Sequence, residues 1–114
     1  MPGFINTHTH AAMVLFRGIA DDLPLKQWLI EHIWPREAKF LSPEFVYDGT
    51  CLASLEILKS GTTTFNDMYF FTESIAEAAK KLGIRAIIGQ GVLDFPTASG
   101  KGADDYLKKS FRIY

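Results

Sequence analysis

The order of strand and helix patterns in this sequence predicts an α/β fold built on a parallel sheet. Three observations carry that expectation. Strand-type runs occupy residues 4–10, 62–66 and 85–92. Apolar residues at helical spacing fill the stretches between them. The third run, Arg85-Ala86-Ile87-Ile88-Gly89-Gln90-Gly91-Val92, is almost continuously apolar, as strands covered on both faces tend to be. Strands alternating with helices in this way are joined by right-handed crossovers.

Each element has a local reason. Pro2-Gly3 opens the first run, and strict alternation puts Phe4, Asn6, His8 and His10 on one side of it, with Ile5, Thr7 and Thr9 on the other. Residues 11–19 are apolar but irregular and contain Arg17-Gly18, which reads as a loop with a helical turn. Asp21-Asp22 then lead a helical pattern of Leu25, Trp28, Leu29, Ile33 and Trp34, with the acids near the positive end of the helix dipole. Pro35 is expected to end or kink that helix, leaving Glu37-Ala38-Lys39-Phe40-Leu41 as a last turn.

Ser42-Pro43 is a helix start, because Ser supplies a capping oxygen and Pro has the φ of a first turn. The pattern Phe45, Val46, Gly49, Leu52, Ala53 and Ile57, widened by Leu55 and Leu58, continues that helix. It stops at Lys59-Ser60-Gly61, a basic last turn followed by glycine. Thr62-Thr63-Thr64-Phe65-Asn66 is a β-branched and aromatic strand with Asp67 at its end. Thr72 is placed to cap a helix over 73–82, whose apolar positions are Ile75, Ala78, Ala79 and Leu82 and which Gly83 closes. Residues 97–102 read as loop and 104–111 as a weaker helix.

Composition narrows the function. The chain has 12 Lys+Arg against 13 Asp+Glu, so a net charge of -1 offers no electrostatic reason for nucleic acid or an anionic membrane as partner. At 47% hydrophobic and 22% charged residues it is ordinary globular protein, which excludes a disordered tail. No run approaches the ~20 apolar residues of a membrane span, and Met1-Pro2-Gly3 lacks the basic start of a secretory leader. Cys51 is the sole cysteine, so there is no internal disulfide and no CxxC motif. A cytoplasmic setting is expected. The 114 residues suit one domain. A complete (β/α)8 barrel typically needs ~250 residues, so a chain of this length could hold less than half of one.

His8-Thr9-His10 is the sharpest chemical feature. Two imidazoles two apart on one strand project the same way, near enough to grip one divalent ion, and neutral imidazole is a good ligand for zinc and similar metals. Strand C-terminal ends are where parallel α/β folds build their sites. A pair of hydrogen-bonded histidines beside threonines is the plainer reading of a bare HxH. A catalytic zinc takes three protein ligands plus water, and neither His32 nor Asp67 completes a convincing set. Glu37, beyond the Pro35 kink, suits hydrogen bonds from sugar hydroxyls or plain solvation. Trp28 and Trp34 suit an aromatic wall for a flat base or ordinary core. Gly89-Gln90-Gly91 is too short a signal for nucleotide binding. No G-x-S-x-G, Walker pattern or Cys-His pair is present.

Pro2-Gly3-Phe4-Ile5-Asn6-Thr7-His8-Thr9-His10 resembles the first barrel strand of the metal-dependent amidohydrolase superfamily. Within it, further blocks are similar to 5'-methylthioadenosine/S-adenosylhomocysteine deaminases and their 5'-deoxyadenosine deaminase relatives. These are Leu15-Phe16-Arg17-Gly18-Ile19-Ala20-Asp21-Asp22-Leu23-Pro24-Leu25, Trp28-Leu29, Ile33-Trp34-Pro35-Arg36-Glu37-Ala38 and the run from Ser60 to Tyr69. The resemblance extends from Pro2 to about Asp94. HxH alone points to the superfamily, and the longer blocks point to the subgroup.

The resemblance implies a partial TIM (β/α)8 barrel: about the first three βα units, with parallel strands inside and helices outside. Residues 1–114 are then a single segment, a fragment lacking the family's small β-sandwich and its later strands. It implies that His8 and His10 ligate one divalent metal ion, zinc with iron or manganese as alternatives. Glu37 then matches the acid that binds ribose hydroxyls, and Trp28 and Met13 match positions near the substrate. The family's further His ligand, its catalytic Glu and His, and its metal-binding Asp lie on later strands, so no catalytic residue is assigned here. Gln90 stands where some members have an Arg suited to a substrate carboxylate, which favours smaller 5'-modified adenosines over S-adenosylhomocysteine.

The implied reaction is deamination of an adenine nucleoside by metal-activated water at C6, with release of ammonia. The complete protein is expected to be a homo-oligomer acting on a small-molecule nucleoside, and the isolated chain to have little or no activity. Three strands outside a closed barrel leave two open edges, so association or partial disorder is expected as well. The alternatives are a chlorotriazine or guanine deaminase-like hydrolase and a non-catalytic α/β interaction domain.

Overall fold

A computed structural model describes residues 1–111; residues 112–114, counted in the expected single segment, lie outside the described residues. Three parallel strands, β1 (Phe4–Thr9), β2 (Thr62–Tyr69) and β3 (Arg85–Gln90), lie in the order β1-β2-β3. The α/β reading of the sequence therefore holds. Between β1 and β2 run a 3-10 segment (Ala11–Phe16) and then α1 (Leu25–Gln27), a π-helical segment (Trp28–Ile33), α2 (Trp34–Phe40) and α3 (Pro43–Lys59). Helix α4 (Thr72–Leu82) connects β2 to β3, and α5 (Ala103–Ser110) follows.

The core lies between one face of the sheet and the helices. Phe65 and Ile75 are fully buried, and Ala12, Val46, Ala53, Tyr69 and Ile84 pack around them. The opposite face is uncovered. Along β2, Phe65, Asp67 and Tyr69 are buried while Asn66 and Met68 are exposed, the period-2 signature of a sheet covered on one side. This corrects the expectation for β3. Ile87 is 64% exposed, because helices cover only one of its faces, and the strand ends at Gln90 rather than residue 92.

Further expectations are revised. In β1 the register with β2 slips between Phe4 and Ile5 and again between Asn6 and Thr9. Strict alternation therefore does not run through the strand, which ends at Thr9 and leaves His10 just beyond it. Pro35 does not end its helix. Gln27, Ile33 and Trp34 all keep right-handed helical dihedrals, so the helical path from Leu25 to Phe40 is continuous. The wider π-helical turn before the proline gives its ring room from the carbonyls of the preceding turn. The Arg36 guanidinium donates to the His32 carbonyl at 2.8 Å, supplying a partner within that turn.

Thr72 is not a cap. Phe71 takes the position before the helix in a left-handed conformation (φ 54°), and Thr72 is the first helical residue, buried at 2% exposure. Finally, β2 extends to Tyr69, so Asp67 lies inside the strand rather than at its end.

Helix α3 starts as read: the Ser42 hydroxyl oxygen accepts from the Phe45 N–H at 3.1 Å, and Pro43 follows. Its terminating glycine, Gly61, has φ 85°, where a side chain is disfavoured. The expected Val46, Gly49 and Ala53 are buried and Phe45 and Ile57 pack against the core, but Thr50 and Ser54 complete the buried face, whereas Leu52, Leu55 and Leu58 are exposed. Gly49 explains the choice of face. A Cβ there would stand 2.7 Å from the Ala12 carbonyl oxygen and 2.9 Å from its Cα, so the helix and the 3-10 segment meet backbone to backbone. Arg17 reinforces the same contact with a two-pronged ion pair to Glu56, at 3.2 and 2.5 Å.

Gly49→Ala is expected to destabilise the chain. The backbone clash costs about 1–3 kcal/mol, which outweighs the ~1 kcal/mol gained in helix propensity. Urea denaturation checks this, and a raised midpoint would contradict the close approach.

Candidate active site

The C-terminal ends of the strands meet the helical path at one place. A cleft of about 360 Å³ opens there, and His10, Met13, Trp28 and Glu37 all line it. His10 comes from just beyond β1 and the other three from three helical segments, and with His8 they are the residues that the family resemblance pointed to. The His8 ring lies beside the cleft, its centroid 5.1 Å from that of His10 with the rings nearly perpendicular (81°). The two imidazoles stay together despite the slips in β1.

His10 is held in a defined state. Its Nδ1 stands 2.7 Å from the Met68 carbonyl oxygen. A carbonyl only accepts, so Nδ1 carries the proton and donates, and Nε2 keeps its lone pair in the neutral ring. Histidines that bind metals are oriented by this type of bond on the other ring nitrogen. The chemistry of this donor pair fits a divalent ion in part, since two imidazoles supply two of the ligands a zinc requires. Among the described residues no group of three His, Cys, Asp or Glu side chains is clustered to complete the set.

Asp67 sits beneath the histidines, fully buried. Its Oδ1 accepts from the Thr9 hydroxyl at 2.9 Å and from the Ala11 N–H at 3.1 Å, which brackets His10 from both sides. Its Oδ2 is buried without a protein partner among the described residues. Burial holds this carboxyl above the usual aspartate range, against the opposing pull of the Ala11 and Thr9 bonds and of His10. The sequence left Asp67 between a site residue and turn chemistry. Its observed contacts are those of a clasp between β1 and β2.

Glu37 faces the cleft half-buried. The Tyr69 hydroxyl donates to its Oε1 at 2.7 Å. Burial raises the Glu37 carboxyl above its ordinary range, while the Tyr69 bond first and the nearby His10 second pull it down. Tyr69 itself is pushed far above the phenolic range, by burial first and then by the Glu37 bond, so it stays a donor. Tyr69 was missed in the sequence. The available signal was its place two residues after Asp67, on the same face of β2.

Trp28 and Trp34 are not core residues. Both line the cleft, and Trp34 is 48% exposed, so the ordinary-core reading does not apply. Leu25, Leu29 and Ile33 line the cleft with them, and Gln90 and Gly91 lie at the end of β3. The Gln90 amide donates to the Gly91 carbonyl at 2.8 Å; the strand placement of Gly89-Gln90 shows no phosphate cradle.

A parallel βα sheet with His8 and His10 at the end of its first strand, faced by Glu37, Trp28 and Trp34 from the helical path, has the arrangement of part of a (β/α) barrel with a cleft at the C-terminal ends of its strands. Comparison with known proteins sharpens this. The model of the amidohydrolase family matches residues 1–112. A 5-methylthioadenosine/S-adenosylhomocysteine deaminase of Thermodesulfovibrio yellowstonii is 88% identical over 110 residues, which are 96% of this chain and 25% of that protein. A 5'-deoxyadenosine deaminase of Methanocaldococcus jannaschii is 60% identical over 94 residues, 82% of this chain and 22% of that protein. Among solved structures, an adenosine deaminase from Xanthomonas campestris with bound zinc superposes with a TM-score of 0.96 at 50% identity, over 99% of this chain and 26% of that one. The chain belongs to the amidohydrolase family. It spans about a quarter of the length of these relatives. Among the described residues no helix is long and apolar enough to cross a membrane.

The buried Asp67 gives a pH prediction. A carboxyl whose folded pKa is raised binds its proton more tightly in the folded state, so stability declines as pH rises from the ordinary aspartate range through the raised value. Asp67→Asn keeps an acceptor for Thr9 and Ala11 and is expected to remove Asp67's share of that decline. Denaturant melts across a pH series measure it, and an unchanged slope in the variant would show that Asp67 does not carry the effect.

Proposed function

We propose that the cleft binds an adenine nucleoside beside a divalent metal ion, as the first part of a nucleoside deaminase site. The observation that carries this reading is the convergence of His10, Met13, Trp28 and Glu37 on one mouth at the strand ends, with His8 adjoining. The names of the relatives support the same substrate class.

His8 and His10 are the residues that would hold the ion, zinc being favoured by paired imidazoles and by the zinc-bound structural relative. When bound, the ion supplies Lewis acidity toward water. The chain's own groups do the rest of its share. The Met68 carbonyl fixes the His10 tautomer. Glu37 accepts hydrogen bonds from the ribose hydroxyls. Trp28 and Trp34 give the purine an apolar aromatic surface, and Met13 lines the same cleft. The mostly apolar lining suits the purine, with few polar groups to orient it. Gln90 at the end of β3 is uncharged, which suits a neutral 5'-substituent better than one bearing a carboxylate.

Trp28 and Trp34 are the two tryptophans of the chain, so their fluorescence reports the cleft directly. Titration with 5'-methylthioadenosine in the presence of zinc is expected to change the emission saturably, and atrazine or guanine to leave it unchanged. No response to the nucleoside, or a stronger one to the triazine, would overturn the assignment. Metal content after dialysis against zinc gives a second check. Wild type is expected to retain the ion and the His8→Ala/His10→Ala double variant to lose it. Equal retention by both would remove the histidines from the site.

A further inference from the structure

The hydrogen bond between Tyr69 and Glu37 joins groups 32 residues apart in sequence, one closing β2 and the other on α2. Among the described residues it is the sole side-chain hydrogen bond between α2 and the sheet. The helical wall of the cleft is thus tied to the sheet at the carboxylate that faces the ligand space. Tyr69 is otherwise clamped. It is 7% exposed, its ring centroid lies 5.0 Å from that of Phe70 and 6.1 Å from that of His10, and it therefore presents its hydroxyl from a fixed ring.

An ionised carboxylate has two oxygens and about four lone-pair sites. Tyr69 takes one site on Oε1, and Oε2 has no protein partner among the described residues. A vicinal diol offers two O–H donors a short distance apart, and it is matched when the carboxylate plane is set before binding. A glutamate free to rotate would lose that freedom on binding and weaken the match.

We propose that Tyr69 is a positioning residue for sugar recognition: its hydroxyl anchors one oxygen of Glu37 and leaves the carboxylate set to receive a vicinal diol, so that the cleft selects ribonucleosides over deoxynucleosides. The inference rests on the nucleoside reading above and names what tunes it. Burial keeps the phenol protonated at any working pH, so the anchor does not switch off.

The test compares affinities for 5'-methylthioadenosine and its 2',3'-dideoxy analogue by tryptophan fluorescence, in wild type, Tyr69→Phe and Glu37→Gln. Tyr69→Phe keeps the ring and its packing and deletes only the hydroxyl. Wild type is expected to prefer the ribonucleoside. Tyr69→Phe is expected to lose about tenfold in ribonucleoside affinity, the scale of a hydrogen bond to a charged group, while its affinity for the dideoxy analogue stays put. A merely structural role would weaken both ligands together in Tyr69→Phe, and that equal loss overturns the proposal, as does a preference that survives undiminished. If Glu37→Gln abolishes the preference while Tyr69→Phe does not, the nucleoside reading stands and the Tyr69 role falls. If wild type binds neither ligand, both fall.

Discussion

The clasp made by the buried carboxylate of Asp67 is the constraint on which the cleft depends. One oxygen gathers the Thr9 hydroxyl and the Ala11 N–H, the residues immediately before and after His10. The next residue of the same strand, Met68, takes the His10 ring proton on its carbonyl. Two successive positions of β2 thus fix the backbone around a histidine of β1 and the orientation of its ring. An edge strand leaves one row of backbone groups unpaired, and β1 lies at the edge of the described sheet with two register slips and no buried residue. The clasp therefore supplies order that packing does not.

The second constraint is the shape of the helical wall. A proline in a helix interior removes a hydrogen bond and crowds the preceding turn, yet Pro35 stands within a continuous helical path because the turn before it is widened. That path brings Trp28, Ile33, Trp34 and Glu37 to one cleft. The bond from Tyr69 then ties the wall to the strand that also carries Asp67 and Met68. A single strand end, 67–69, thereby organises the imidazole side and the carboxylate side of the cleft.

Much of this was legible from the chain of residues. The strand order, the Ser42 cap and the Gly61 stop follow from local chemistry, which tertiary contacts did not override. The chemistry of HxH pointed to the strand ends, and the resemblance of the surrounding blocks pointed to Glu37, Trp28 and Met13. The failures share a cause. Alternation in β1, the face of α3 and the burial of β3 each depend on what a neighbour presents, and no local pattern carries that information. Leu52 and Leu55 look like core until Gly49 is seen to press α3 against Ala12, which leaves those leucines outside the contact. Pro35 reads as a break because a π-helical turn has no simple sequence signature. Tyr69 looks like another aromatic at a strand end until its hydroxyl is seen to meet a carboxylate from 32 residues away.

The central claim is that β2 holds His10 with Nδ1 protonated and Nε2 free at the cleft. Two-bond proton–nitrogen NMR of the imidazole rings reads this directly. Neutral His10 is expected to occur as the Nδ1–H tautomer, and its Nε2 resonance to move when zinc is added. An Nε2–H tautomer, or a ring averaging between the two forms and indifferent to zinc, would contradict it.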